Sequence, residues 1–351
     1  MEGRHDMPTT ATTAATNAST TTTAPLLEVE GLTIGIRRRG RPDVRIVEDL
    51  GFSIAEGERF GIVGESGSGK SLTLRAIAGL LPKGVTVLSG AIRYRGRDLA
   101  GLGAKERRRL MGPEIAMVFQ EPMTALNPVL RVGDQIAEGP RRYLGLSRAA
   151  AHDLAVEMMR RTGIPDPERR AAAYPHELSG GLRQRVMIAM ALSCSPKLVL
   201  CDEPTTALDV TVQHQVLQLL EELCDATGAA LAFVTHDLAV VNQTCSRVAV
   251  MYAGHRVETG PVKAVFADPR HPYTKGLLDS APDFDDPDRA LVPIPGFPPN
   301  LAARPSGCPF APRCPFVVEA CTTAMPPQED VGPGRTAACI RTHEVFEGVP
   351  A

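Results

Sequence analysis

Tryptophan is absent from the 351 residues, and aromatic side chains account for only 4% of them. A surface that stacks nucleic-acid bases needs exposed aromatic side chains, so this composition argues against one. The formal net charge of −2 provides no overall basic footprint for nucleic acid either. The arginine clusters at 37–39 and 107–109 are expected to be solvated loop or helix faces. We therefore predict no nucleic-acid partner.

Long hydrophobic runs are also missing, because no stretch approaches the roughly 18 apolar residues of a membrane span. Residues 1–25 are rich in Thr and Ala and have no apolar segment of the kind found in secretory signals. We expect them to be a disordered, low-complexity tail. A cytosolic location follows, in which the eight cysteines are reduced or metal-bound rather than joined in disulfides.

One stretch of eight residues matches the G-x-x-x-x-G-K-[ST] phosphate loop at each fixed position. Its residues are Gly64, Glu65, Ser66, Gly67, Ser68, Gly69, Lys70 and Ser71. A buried strand is predicted before it at 59–63 and an apolar helix after it at 72–81, which favours a phosphate site over a turn that binds nothing. The glycines allow backbone N–H groups to close around a β-phosphate at a helix N-terminus. Lys70 then supplies a charge to the phosphates and Ser71 a hydroxyl to Mg²⁺.

Strands and helices alternate along the chain as far as about residue 260. Residues 26–36 and 45–54 have the pattern of two antiparallel strands, and a helical insertion is predicted over about 121–185. Beyond that limit proline becomes frequent and periodicity fades, so we place a domain boundary there. The sequence predicts an α/β P-loop NTPase core at 26–260, with an antiparallel β subdomain and a helical subdomain. A small, irregular, Cys-rich domain is predicted at 261–351.

Two carboxylates directly follow the apolar strand predicted at 197–201, at the edge where α/β sheets bind their ligands. Asp202 is suited to hold Mg²⁺, and Glu203 to orient and deprotonate a water molecule. Two acids after a strand can also be plain loop charge, but the phosphate loop upstream favours the functional interpretation. His236 follows the strand predicted at 229–235, so we expect it on the same edge, near the γ-phosphate.

A second segment suited to an anion precedes the helix predicted at 182–193. Ser179 is a good N-cap and Gly180 and Gly181 form a turn, so the segment is either a cap alone or an anion site at a helix N-terminus. Asp209 precedes the helix predicted at 210–227 and is at least its cap.

Taken in order, these motifs resemble an ABC-type ATPase over roughly residues 26–260. The shared motifs are the phosphate loop, Gln120, Leu178-Ser179-Gly180-Gly181, Asp202-Glu203, Thr206-Ala207-Leu208-Asp209 and His236. The resemblance implies ATP and Mg²⁺ as ligands and a head-to-tail dimer of ATPase domains. In such a dimer each ATP is held between one subunit's phosphate loop and the other subunit's Ser179, Gly180 and Gly181.

The same resemblance assigns roles to single residues. It implies Gln120 as the sensor of the γ-phosphate and Mg²⁺, Glu203 as catalytic base and His236 as the γ-phosphate switch. Asp209 becomes a contact across the dimer, and the implied Mg²⁺ ligands are Ser71, Gln120 and Asp202. The family usually has an aromatic residue that stacks on adenine near the end of the first strand, and Ile36 stands at that position here.

A narrower resemblance lies mainly in the last third of the chain. His271-Pro272-Tyr273-Thr274, Pro293-Ile294-Pro295-Gly296 and the Cys-rich end are similar to the C-terminal domain of dipeptide and oligopeptide importer ATPases. The segment 121–128 is also similar to that subfamily. The resemblance implies the ATP-binding and ATP-hydrolysing subunit of an importer of di- and oligopeptides, peripheral on the cytoplasmic face of the cell membrane.

That resemblance also implies partners. They are two transmembrane permease subunits, an extracytoplasmic substrate-binding protein and a second ATPase subunit, for which the subfamily favours a paralogue. Nickel or glycoside import within the same subfamily is an alternative cargo. A soluble ABC ATPase that acts on nucleic acid or ribosomes is a further alternative, which the single cassette, the short insertion and the net charge of −2 disfavour.

Four cysteines occur near the C-terminus, at Cys308, Cys314, Cys321 and Cys339, separated by five, six and 17 residues. Structural zinc usually uses tighter pairs than these. Four thiolates in a reducing compartment suit Zn²⁺ or an iron–sulfur cluster, and four unligated thiols are the remaining alternative. The resemblance implies a 4Fe–4S cluster.

Overall fold

The computed structural model describes residues 24–205, 209–282, 290–301 and 304–343. All but the last two residues of the predicted tail at 1–25 lie outside this description. The strands, in chain order, are β1 (Leu27–Ile36), β2 (Val44–Ile54), β3 (Arg59–Val63), β4 (Thr86–Tyr94), β5 (Arg97–Asp98), β6 (Ile115–Val118), β7 (Leu198–Asp202), β8 (Ala230–Thr235), β9 (Arg247–Tyr252), β10 (His255–Pro261), β11 (Glu329–Gly332) and β12 (Arg335–Ala337).

The α-helices alternate with these strands. In chain order they are α1 (Lys70–Ala78), α2 (Ala104–Leu110), α3 (Pro122–Ala125), α4 (Val132–Tyr143), α5 (Arg148–Arg161), α6 (Pro167–Arg170), α7 (Gly180–Leu192), α8 (Val210–Thr227), α9 (Leu238–Thr244), α10 (Val262–Ala267), α11 (Pro272–Ser280) and α12 (Glu319–Thr323).

An antiparallel sheet forms from the first part of the chain, with the strand order β2-β1-β4-β5. Leu27 pairs with Ile54 and Ile36 pairs with Val44 across β1 and β2. Burial alternates at the start of β1 and over the second half of β2, as a period-two pattern predicts, whereas residues 32–35 of β1 are buried in succession where the register shifts. The predicted strands at 26–36 and 45–54 are therefore confirmed.

The second sheet has the order β11-β12-β10-β9-β3-β8-β7-β6, and its strands from β9 to β6 are parallel. All residues of β7 and β8 are buried, as expected for parallel strands covered on both faces. Because parallel strands point the same way, the carboxyl ends of β6, β7 and β8 meet at one edge. That edge carries the residues singled out above.

The predicted helical insertion is seen between β6 and β7, where α3 to α7 occur. Helices α4, α5 and α7 pack together through apolar residues that include Ile136, Met159 and Ile188. The α/β P-loop core and its two subdomains thus agree with the prediction. Among the described residues, no helix is both long and apolar enough to cross a membrane.

The chain beyond residue 260 is more regular than the sequence predicts. Strand β12 pairs antiparallel with β10, so that Glu258 lies opposite Ala337 and Thr259 opposite Thr336. Phe310 packs into the same hydrophobic core as the strands of the larger sheet. The predicted irregular, Cys-rich unit is therefore not confirmed. A strand of three residues, such as β12, is too short to leave a periodic pattern in the sequence, which is why it was not predicted. The boundary near residue 260 stays a prediction.

Candidate nucleotide-binding site

The phosphate loop connects β3 to α1 and depends on glycine at two of its turns. Gly64 has φ 148°, and a Cβ there would lie 2.0 Å from the carbonyl oxygen of Met251. Gly69 has φ 101°, and a Cβ there would lie 2.6 Å from Val47 Cγ2. Neither position tolerates a side chain without movement of its neighbours. The loop is therefore held in one close-packed shape.

Lys70 begins α1 and is only 4% exposed. Its ammonium group donates to the carbonyl oxygens of Gly64 at 2.7 Å and Glu65 at 3.0 Å. Burial lowers the pKa of Lys70, and the carboxylates of Glu203, Asp202 and Glu65 oppose that shift. The charged lysine thus faces three acids and the loop's own carbonyl groups, where an anionic phosphate would compete for it.

Asp202 ends β7 and has no exposed surface. Within the described part of the chain, neither carboxylate oxygen has a hydrogen-bond partner, and Arg75 Nη2 lies 3.8 Å from Oδ2. Burial raises the pKa of Asp202, and the Ser71 hydroxyl and the Arg75 guanidinium oppose this. A buried carboxylate with unused oxygens beside a serine hydroxyl is a donor set that fits Mg²⁺.

Glu203 brings three predicted catalytic residues together. Its Oε2 accepts a hydrogen bond from Gln120 Nε2 at 3.1 Å and lies 3.4 Å from His236 Nδ1. The three residues follow β6, β7 and β8, which are neighbours in the sheet. Glu203 has φ 46°, a conformation that costs free energy for a non-glycine residue and is often found at functional sites. Its carboxylate is therefore aimed by the backbone as well as by its neighbours.

The predicted signature segment and Asp209 both act as helix caps. Ser179 Oγ accepts from the backbone N–H of Leu182 at 3.4 Å, and Asp209 Oδ1 accepts from that of Val212 at 3.0 Å. Gly181 lies against α8, since a Cβ there would be 3.1 Å from Val212 Cγ1. The predicted segment 206–208 lies outside the described residues.

Gly180 and Gln120 line one cleft of about 280 Å³. This cleft separates the start of α7 from the carboxyl ends of β6 and β7. The predicted anion segment and the predicted sensor therefore open onto the same space.

Two residues that contact the phosphate loop were not identified from the sequence. Tyr273 Oη accepts a hydrogen bond from the Glu65 backbone N–H at 2.7 Å. Arg313 binds the Glu65 carboxylate with both terminal nitrogens, at 2.8 and 3.0 Å. Tyr273 lies within the His271-Pro272-Tyr273-Thr274 motif, which was the only signal available. The sequence offered no signal for Arg313 beyond its position directly before Cys314.

The four C-terminal cysteines line one small pocket, together with His271 and Phe310. Cys308, Cys321 and Cys339 are buried and Cys314 is partly exposed. Burial raises the pKa of Cys314 to about 12 and that of Cys339 to about 11. Over the described ranges, no group of three or more His, Cys, Asp or Glu residues is placed to hold a metal ion. The predicted iron–sulfur or zinc site is therefore not confirmed.

Comparisons with known proteins agree with this geometry. The family model for the ABC transporter matches residues 47–206, and that for the oligopeptide/dipeptide transporter C-terminal region matches residues 257–321. A Brucella abortus relative, whose name describes a peptide import ATP-binding protein, is 50% identical over 92% of this chain and 98% of its own length. The oligopeptide transport ATP-binding protein OppD of Salmonella typhimurium is 47% identical over 93% of this chain and 98% of its own.

The fold has solved counterparts as well. The ATP-binding cassette MJ0796, in a dimeric post-hydrolysis state bound to ADP and phosphate, matches with a TM-score of 0.60 and 28% identity. The match covers 67% of this chain and 98% of that one. On these grounds the chain belongs to the ABC transporter ATP-binding family and carries the C-terminal region of its oligopeptide and dipeptide transporters.

Proposed function

We propose that this chain binds and hydrolyses ATP to power the import of di- and oligopeptides through partner permease subunits. The observation that carries the proposal is the convergence of Gln120 and His236 on one oxygen of Glu203, beside a phosphate loop. The match of residues 257–321 to the oligopeptide/dipeptide transporter C-terminal region supports a peptide cargo.

The binding half of the site is assigned to the phosphate loop and its neighbours. Lys70 and the loop N–H groups hold the β- and γ-phosphates at the N-terminus of α1. Ser71, Asp202 and Gln120 would hold Mg²⁺, which when bound neutralises phosphate charge and orients the transferred group. The oxygens of buried Asp202 support this assignment, because they have no hydrogen-bond partner among the described residues and the Arg75 guanidinium comes no nearer than 3.8 Å to Oδ2.

The catalytic half is assigned to the Glu203 cluster. Glu203 positions the attacking water and accepts its proton at Oε2, while phosphoryl transfer breaks the bond to the leaving ADP oxygen. Gln120 holds that carboxylate through its amide, and His236 lies on the opposite side at the end of β8. His236 is 56% exposed, which leaves it accessible to a γ-phosphate that enters from solvent.

A second ATPase subunit completes the site in this proposal. The N-terminus of α7, with Ser179, Gly180 and Gly181, carries N–H groups suited to the γ-phosphate of an ATP bound to the partner. Asp209 caps the adjacent helix and is assigned to the contact across the dimer. The partner is proposed to be a paralogue of this chain.

Permease subunits are proposed to dock beside Gln120. Three exposed apolar side chains occur within ten residues of it, namely Met123, Val129 and Leu130, which are 63%, 75% and 42% exposed. Exposed apolar side chains grouped in this way are typical of a protein interface. Two permeases with an extracytoplasmic binding protein would place this chain on the cytoplasmic face of the membrane, as a peripheral subunit.

The C-terminal cysteines are proposed to hold a 4Fe–4S cluster, with Zn²⁺ as the alternative. Four thiols line one pocket and are the ligand type that either group uses, although their described positions are not close enough together to hold a metal. Binding of such a group would require the thiols to lose their protons and move closer together. The bound group would then stabilise the chain between Cys308 and Cys339.

The importer assignment is tested with the protein in its membrane complex. This chain is expressed together with permease subunits and a second ATPase of the oligopeptide-transporter type, then reconstituted in vesicles with a substrate-binding protein. We expect copurification and ATP hydrolysis that a mixture of di- to pentapeptides stimulates several-fold. Hydrolysis stimulated by nickel or by a glycoside, and not by peptides, would reassign the cargo. Failure of the permeases to copurify would overturn the assignment as a transporter subunit.

A further inference from the structure

We propose that Arg313 and Tyr273, which belong to the C-terminal region, are positioning residues for the phosphate loop and set its affinity for ATP. The inference rests on the phosphate loop binding ATP. It adds to the site two residues that lie far along the chain from the loop. The C-terminal region then becomes a working part of the nucleotide site.

Arg313 is held rigidly where it meets the loop. Its side chain is 6% exposed, and its two terminal nitrogens bind the two oxygens of Glu65 at 2.8 and 3.0 Å. A bidentate pair of this kind fixes the orientation of the carboxylate as well as its position. Glu65 is the second residue of the phosphate loop.

The remaining contacts of Arg313 come from three parts of the chain. Its Nε donates to the carbonyl oxygen of Pro295 at 2.7 Å, and Nη1 donates to the hydroxyl of Tyr252 at 3.2 Å. The guanidinium also lies 6.0 Å from the ring centroid of Phe310. Few rotamers satisfy all these partners, so Glu65 meets a fixed cation rather than a flexible one.

Tyr273 holds the backbone of the same loop residue. Its hydroxyl accepts from the Glu65 N–H at 2.7 Å, and its ring is fully buried, 4.5 Å from that of Tyr252. One end of the loop is therefore anchored through both the main chain and the side chain of Glu65.

Charge gives Arg313 a second effect on binding. Glu65 is negative and stands in a loop built to receive a polyphosphate, and its charge is felt at Lys70. Without Arg313 the carboxylate would repel the ligand and compete for the lysine. Arg313 therefore neutralises Glu65 as well as orienting it.

The test is a double-mutant cycle on the 351-residue chain, in which titration calorimetry measures the ATP affinity of wild type, Arg313→Gln, Glu65→Gln and the double variant. Arg313→Gln is expected to weaken ATP binding roughly tenfold or more, because it leaves Glu65 uncompensated beside the phosphates. Arg313→Gln combined with Glu65→Gln is expected to recover affinity to within about threefold of wild type, because the repelling charge is gone. A merely structural role for Arg313 predicts no such recovery.

Arg247→Gln is the control. Arg247 pairs with Glu58 at 2.8 Å where β9 and β3 begin, so its loss removes an ion pair at the opposite end of these strands from the phosphate loop. We expect its ATP affinity to stay within about threefold of wild type. Equal affinity in wild type and Arg313→Gln, or a double variant as weak as the single one, would overturn the inference.

Tyr273→Phe is a second test, which can be used if Arg313→Gln does not fold. It removes only the hydroxyl that accepts from Glu65, and we expect a raised KM for ATP with an unchanged kcat. An unchanged KM would overturn the role of Tyr273. Wild-type protein that fails to bind ATP would instead refute the proposed function, so the two failures are distinguishable.

Discussion

Gln120 Nε2 donates a hydrogen bond of 3.1 Å to Glu203 Oε2, which joins the end of β6 to the end of β7. Gln120 is also followed by the exposed apolar residues Met123 and Val129. A partner that presses on this segment would therefore reach the carboxylate through a single side chain. The bond thus connects the proposed docking surface directly to the proposed catalytic base.

Glu203→Gln should preserve ATP binding and slow hydrolysis by about 10²–10⁴, the range expected when a general base is lost. The amide keeps the shape of the side chain and cannot accept the proton. Single-turnover hydrolysis and ATP titration are the measurements. Glu222→Gln, on the exposed face of α8, is the control and should behave as wild type. Equal hydrolysis rates in wild type and Glu203→Gln would remove Glu203 from the mechanism.

Lys70→Ala should abolish measurable ATP binding. Its buried ammonium group is the charge proposed to bind the phosphates, and it also donates hydrogen bonds to the carbonyl oxygens of Gly64 and Glu65. Nucleotide titration tests this, with thermal unfolding to separate lost binding from lost folding. Lys83→Ala is the control, because Lys83 is exposed. Retained affinity in Lys70→Ala would show that the loop does not bind the phosphates as assigned.

The isolated subunit should show little preference between ATP and GTP, because Ile36 stands where the family usually has an aromatic residue. Ile36 is 38% exposed at the end of β1 and offers no aromatic face. A stacking partner is worth roughly 1–3 kcal/mol, so Ile36→Tyr should raise affinity for both nucleotides while Ile36→Leu should not. Competition titrations measure the effect. A strong preference for ATP that Ile36→Tyr leaves unaltered would mean that another residue holds the base.

Cys314→Ser should remove the metal from the C-terminal pocket. Protein purified without oxygen should be brown and contain about four irons per chain if the proposed cluster is present. Cys194→Ser is the control, because Cys194 is a buried cysteine that follows α7 and lies outside the pocket. Colourless protein with one tightly bound zinc would favour the alternative metal. Protein with neither metal would leave the four residues as packed thiols.

His271 should make the folded chain less stable in acid. Burial lowers the pKa of His271 to about 3, whereas an unfolded histidine titrates near 6.5. As the pH falls below about 6.5 the unfolded chain takes up a proton that the folded chain does not, so the free energy of unfolding falls by about 1.4 kcal/mol per pH unit from this group. This loss continues until about pH 3.

His271→Asn tests that slope. Asparagine can still accept from the Tyr273 N–H, as His271 Nδ1 does at 3.0 Å, so the cap of α11 is preserved. Urea unfolding between about pH 6 and 4 should show a shallower loss of stability in the variant. The same slope in both proteins would mean that His271 binds a proton in the folded state.

Local sequence patterns predicted most residues of the nucleotide site. The octet from Gly64 to Ser71, the acids after β7 and His236 after β8 each stand directly beyond a strand. Parallel topology then brings those strand ends to one edge, so chain order alone predicts their convergence. Gln120 and Glu203 meet for the same reason.

Arg313 and Tyr273 could not be found in this way. Their contact with Glu65 depends on how the last third of the chain folds back over β9, and no local period encodes that path. The cysteine spacing likewise indicated a common site without fixing how close the thiols lie.

The pairing of β12 with β10 has a consequence for any attempt to isolate the front of the molecule. If the chain ended near Pro261, the outer edge of β10 would present bare N–H and C=O groups to solvent. Such an edge is a template on which another polypeptide can add a strand. A shortened chain of that kind should therefore self-associate, and its light scattering should rise with concentration where the 351-residue chain stays clear.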